Sequence, residues 1–186
     1  MSAKHPKISQ TPAEAIAKRK REYNQREEVM TFVKRLFWLA AMLLLIFGLI
    51  FGVVPMPDNA MRPGISAGDL LFYFRRNAGY NDGDVVVWRK GGKTRTGRIV
   101  ARGGDTVDIG DDGHLAINGN RKIETDIVYQ TTRYSDRVTY PLTLKAGQFF
   151  VLGDYRIGAK DSRYDGPISQ KAIAGRVILV MRGSDL

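Results

Sequence analysis

Residues 37–54, FWLAAMLLLIFGLIFGVV, contain no charged or strongly polar side chain, and they constrain the fold of the chain more than any other stretch. As a helix rising ~1.5 Å per residue the run is roughly 27 Å long, close to the hydrocarbon thickness of a bilayer. A surface helix keeps a polar face, whereas this run is apolar on every face; a buried core helix is the alternative, but Lys34, Arg35 and Trp38 at one border favour a span. It reads as a membrane span. The run exceeds a usual signal-peptide core, a long segment precedes it, and no small-x-small site follows, so a retained anchor is expected. The chain then divides into a basic, partly helical tail (1–36), a transmembrane helix (37–54) and a folded domain (55–186).

The formal net charge of +10 and pI near 9.9 would suit a nucleic-acid binder, a chain lying on anionic lipid, or a binder of acidic partners. Much of that excess precedes the span, at Lys4, Lys7, Lys18, Arg19, Lys20, Arg21, Arg26, Lys34 and Arg35. Basic residues there hold an end in the cytoplasm and rest against anionic headgroups, which leaves nucleic-acid binding without support and turns the carboxyl-terminal domain outward. Thr11-Pro12-Ala13-Glu14 reads as a capping box with proline at the first helical position, so a helix is expected to start there and run toward the membrane.

With no cysteine, disulfides, thiol catalysis and thiolate metal sites are excluded. The two histidines, His5 and His114, are far apart and lack a nearby cluster of carboxylates, which argues against a histidine metal site or a Ser-His-Asp triad. No metal or other cofactor is expected.

Beyond Pro55 the pattern changes to short aliphatic and aromatic runs at 70–74, 85–88, 97–101, 106–109, 114–117, 138–144, 148–152 and 176–181, each reading as a strand. Asn81-Asp82-Gly83-Asp84 is a turn ahead of the second run, and Asp112-Gly113 and Asn118-Gly119 are hairpin signals. Many short strands without intervening long helices give a mostly β fold, antiparallel or mixed. A domain released near Met56 is expected to be soluble and to fold without metal.

Directly after the span, Asn59-Ala60-Met61-Arg62-Pro63 followed by Gly68-Asp69 resembles the S-M-x-P and G-D elements of type I signal peptidases. Gly97-Arg98-Ile99-Val100-Ala101-Arg102-Gly103-Gly104-Asp105 resembles that family's K-R-V-x-G-x-P-G-D box. Gly153-Asp154-Tyr155-Arg156 with Ala159-Lys160-Asp161-Ser162-Arg163 resembles its G-D-N-R and S-x-D-S-R box. Each element alone reads as a structural turn, but their order and spacing behind a membrane span are specific. The resemblance implies a signal-peptidase-like β domain on a single amino-terminal transmembrane helix, with a groove that holds substrate as an added strand.

The resemblance also locates what is missing. The family's serine nucleophile, lysine base and lysine-supporting serine correspond to Ala60, Gly97 and Ala159, and Gly103 stands where the family has proline. A serine-lysine hydrolase needs a hydroxyl to attack and a neutral amine to take its proton, and these positions supply neither. Lys93 lies ~13 Å from Gly97 along an extended strand, too far to substitute. Ser66 reads as a turn residue, and Ser162 belongs to the D-S-R element, where the resemblance makes Asp161, Ser162 and Arg163 structural. Met61 and the strands at 69–75 and 97–102 are expected to line the groove, with Arg62 and Arg102 bringing positive charge to it as partner-binding residues or, equally, standing as solvated surface.

What the resemblance implies is a chain that is not an enzyme: a membrane-anchored assembly factor or chaperone of the Gram-positive pilus systems, with pilin subunits and a sortase as partners. The alternative is an active signal peptidase whose nucleophile was replaced deliberately. A self-cleaving repressor with a related Ser-Lys fold is disfavoured by the membrane span.

Overall fold

The computed structural model describes residues 12–75, 79–125, 127–134 and 137–183. Lys4, His5, Lys7 and Thr11 lie outside them, so the start of the expected capping box is not described. The chain divides into two compact units, Met1–Phe47 and Gly48–Leu186.

The first unit contributes most of one continuous helix, α1 (Pro12–Ile50). Proline opens it at the position where a missing N–H costs nothing. Among the described residues this is the one helix long and apolar enough to cross a membrane, over Gln25–Ile50. Its end corrects the boundary expected from composition. The apolar run continues to Val54, yet Phe51 already begins a strand, β1 (Phe51–Pro55). Apolarity without a break hides the change, because a half-buried strand and a membrane helix draw on the same residues.

The second unit is mostly β, as expected. Its described strands continue with β2 (Leu70–Phe74), β3 (Val85–Lys90), β4 (Lys93–Arg102), β5 (Thr106–Ile109), β6 (Leu115–Ile117), β7 (Asn120–Arg121), β8 (Leu142–Thr143), β9 (Gln148–Leu152), β10 (Ile168–Ser169) and β11 (Ile173–Met181). A short helix, α2 (Ser162–Asp165), is capped by the Asp161 side chain, which accepts from the Arg163 amide. Seven strands form one sheet in the order β1-β2-β11-β3-β4-β9-β10, and four form another in the order β7-β6-β5-β8. Every pairing is antiparallel.

Turn chemistry sets the hairpins. Asn118 and Gly119 both take positive φ, 53° and 79°, between Ile117 and its partner Asn120, the geometry a two-residue hairpin needs. Gly91 and Gly92, with φ of 57° and 73°, do the same between Lys90 and Lys93. The expected strand at 138–144 shrinks to Leu142–Thr143, because Pro141 has no N–H to give a ladder.

Alternation along β2 turns Leu71 and Tyr73 inward, where they pack with Met56, Met61, Ile65 and Val87. Trp88, Ile99 and Val151 belong to a second cluster, and Val107, Phe150 and Leu152 to a third. The outward face of β1, β2 and β11 is apolar too. Val53 pairs with Phe72, which pairs with Leu179, and Pro55 pairs with Leu70, which pairs with Met181. Val53, Leu70, Leu179 and Met181 are all exposed.

Candidate functional site

Strand β9 ends at Leu152, and the next residue, Gly153, is the meeting point of the motifs. A side chain could not fit there: a Cβ on Gly153 would stand 2.6 Å from the Ala60 carbonyl oxygen and inside the Ala159 methyl group. Ala60 is fixed by its backbone, its N–H donating to Asp58 Oδ1 at 2.9 Å and its carbonyl accepting from the Tyr155 amide at 2.9 Å. Ala159 is buried, and its carbonyl accepts from the Tyr134 hydroxyl at 3.0 Å. Burial raises the pKa of that hydroxyl, so the donor keeps its proton.

Gly97, on β4, closes on the same stretch from the neighbouring strand. A Cβ there would meet Val151 Cγ1 at 2.8 Å, the Leu152 carbonyl at 2.9 Å and the Trp88 ring at 3.1 Å. Its backbone is ordinary, so glycine is required by space. Ala60, Gly97 and Ala159, separated along the sequence, therefore gather around residues 151–153, and the three together carry no hydroxyl and no amine.

Asp161, Ser162 and Arg163 hold that stretch from behind. Asp161 and Arg163 are out of solvent and form a two-pronged ion pair, Nε to Oδ1 at 3.0 Å and Nη2 to Oδ2 at 2.8 Å. Asp161 Oδ2 also accepts the Gly153 amide at 3.1 Å, and Ser162 Oγ accepts the Val151 amide at 2.9 Å. The Arg163 guanidinium lies 4.3 Å from the Tyr134 ring centroid. Each buried charge thus has its partner.

Sequence reasoning missed two further ion pairs in these motifs. Arg98 grips Asp154 with two bonds of 2.9 and 2.7 Å, tying β4 to the turn after β9. Arg156, fully buried, donates to the Gly153 carbonyl at 2.8 Å and to both Glu124 oxygens at 2.9 and 2.7 Å, and bonds Thr131. The pairing of a G-D-x-R turn with an arginine on the neighbouring strand, distant in sequence, leaves no periodic trace, although the acid and bases themselves were in view.

Beside Ala60 opens a cleft of about 670 Å³. It is lined by Val54, Pro55 and residues 57–60, by Lys93, Thr94 and Arg95 of β4, and by Tyr155, Gly158 and Lys160. Met61 departs from the expected lining, and Arg62 and Arg102 take the solvated-surface alternative. Met61 is 0% exposed and packs into the core, because the turn after Ala60 points it inward. Arg62 is exposed outside the cleft lining. Arg102 is exposed at the far end of β4, roughly 25 Å along the strand from the Lys93–Arg95 stretch at ~3.3 Å per residue. Lys93, set aside as a base, is a wall of the cleft. Arg95 there forms an ion pair with Asp165. Among the described residues no group of acids and histidines is arranged to hold a metal.

Comparison with known proteins agrees with the motifs. The chain is similar to Signal peptidase I of Bacillus licheniformis, 28% identical over 165 residues that cover 82% of this chain and 88% of that one. It is similar also to a Staphylococcus aureus protein named Inactive signal peptidase IA, 27% identical over 154 residues covering 76% of this chain and 86% of that one. The crystal structure of a signal peptidase I from Enterococcus faecalis aligns at 27% identity with a TM-score of 0.48, over 54% of this chain and 97% of that one. The model of the family described as "Signal peptidase, peptidase S26" matches residues 29–182, and the chain belongs to that family.

Proposed function

We propose that this chain is a non-catalytic, membrane-anchored assembly factor that holds an extended segment of a secreted surface protein in the former substrate cleft. On this reading the basic tail stays in the cytoplasm and the β domain faces outward. The partner that best fits the resemblance to pilus accessory proteins is a pilin, handed to a sortase for polymerisation.

One observation carries the proposal: the three positions gathered at residues 151–153 offer neither nucleophile nor base, while the cleft beside them stays open. Strand edges border that cleft. β1 is the outermost strand of its sheet, and β9 pairs with β4 only from Arg98 onward; ahead of the buried Thr96 and Gly97, residues 93–95 are at least partly exposed and have no strand partner on that side. An extended segment lying between the two edges would gain main-chain hydrogen bonds without being cut.

The alternative, a signal peptidase with its nucleophile replaced deliberately, draws support from the near-equal identity to relatives named active and inactive. The space around Gly97 weighs against it, since a single replacement at Ala60 would leave room for the base. Restoring serine at Ala60 and lysine at Gly97, singly and together, and assaying cleavage of a signal-peptide substrate separates the readings. No cleavage is expected from any variant, and Gly97→Lys should be destabilised by about 1–3 kcal/mol through overpacking. Cleavage by Ala60→Ser alone would establish the peptidase.

A further inference from the structure

The charged groups of the cleft do not balance. Its one acid, Asp58, already accepts the Ala60 amide, and Arg95 is matched by Asp165. Lys93 and Lys160 remain in the lining, and among the described residues neither has a carboxylate within ion-pair distance. Lys160 leans toward the Tyr164 ring, its ammonium 5.8 Å from the centroid, and Lys93 begins the free edge of β4.

We propose that the cleft selects an acidic extended segment, with Lys93 and Lys160 as the groups that read its carboxylates. The inference rests on the binding role proposed above and adds the chemical class of what is bound. A strand added along residues 93–95 presents every second side chain to one face, so carboxylates at alternate positions all turn toward the same wall. The free β4 edge supplies main-chain bonds that any sequence can use, and the two ammonium groups supply the discrimination. Neutral and basic segments would fill the cleft and leave both amines without a counter-charge.

The experiment uses the full chain in detergent micelles and fluorescence anisotropy with two labelled peptides of about eight residues, one alternating threonine with glutamate and the other threonine with glutamine. The glutamate peptide should bind about tenfold more tightly at low salt, with the gap narrowing as salt is raised. Reversing both amines, K93E with K160E, should erase the preference while leaving the melt unchanged. Reversing Lys145 and Lys171, exposed and outside the cleft, carries the same change of net charge and should leave the preference in place. Equal binding of the two peptides by the parent overturns the inference and leaves the cleft as a binding site. Equal losses from the two double reversals also overturn it, assigning the preference to net charge. If neither peptide binds, the cleft is not the working surface, and the proposed binding role falls with the inference.

Discussion

Asp161 accepts four hydrogen bonds while fully buried, from the amides of Gly153 and Arg163 and from two nitrogens of the Arg163 guanidinium. Removing either partner of such a pair leaves the other charge stranded in the interior, at a cost of roughly 3–5 kcal/mol. Asp161→Ala and Arg163→Ala should therefore melt far below the parent, whereas Ala60→Ser, on a half-exposed turn, should shift stability by less than ~0.5 kcal/mol. Equal small shifts in thermal melts would remove the structural role given to the pair. A second acid contributes to the response to pH. Asp69 accepts the Ser66 amide at 2.9 Å and the Gly183 amide at 3.0 Å. The Ser66 bond chiefly, then Gly183 and the charge of Arg182, hold its carboxyl below the ordinary range against an opposing push from burial. The unfolded chain takes up that proton first, so the stabilisation is complete above the ordinary carboxylate pKa of ~3.9 and is lost as pH falls through the lower, folded value. Melts at descending pH should show a smaller acid-dependent loss for Asp69→Asn than for the parent.

At the level of elements, the strands with strong β-branched or aromatic content were legible: LLFYF, VVVW and QFFVL are β2, most of β3 and β9. The two-residue strands β7, β8 and β10 were not, since their pairing comes from tertiary position and two residues carry no period. Gly91-Gly92, a hairpin signal the sequence reading passed over, joins β3 to the early part of β4, which begins at Lys93 and not near Gly97. At the site, the gathering of Ala60, Gly97 and Ala159 followed the order of the motifs. The lining of the cleft did not, because Met61 faces inward by the local turn and only the strand register tells Lys93 from Arg102. The missed strand β1 matters most for handling the domain. Its five residues pair with β2 in full register, and the Arg75 amide reaches back to the Ile50 carbonyl at 2.8 Å. A fragment beginning at Met56, expected from sequence to be soluble and to fold without metal, lacks β1 and bares the edge of β2. It should melt lower and aggregate more than one beginning at Gly48, by circular dichroism and size-exclusion chromatography. Chelator should change neither melt.

For the whole molecule, a tether would confine the domain to the membrane surface and raise its effective concentration near membrane-bound partners, so that even a weak contact in the cleft could suffice. Residues 48–186 released behind a cleavable secretion signal should bind the partner as the parent does but support its assembly poorly in cells. Full assembly by the released form would show that anchoring is dispensable. The released domain should also need detergent in purification, since the outward face of β1, β2 and β11 leaves Val53, Leu70, Leu179 and Met181 bare. Helix α1 passes into β1 with no residue between them, Ile50 ending one and Phe51 starting the other. At ~3.5 Å per residue the chain from Ile50 to Ala60 can reach at most about 35 Å, and its path through β1 and a turn makes the true separation shorter. If α1 is the anchor and the cleft the binding surface, as proposed, the helix is a ruler as well as a tether: the cleft would meet only what a partner displays within that reach of the helix end.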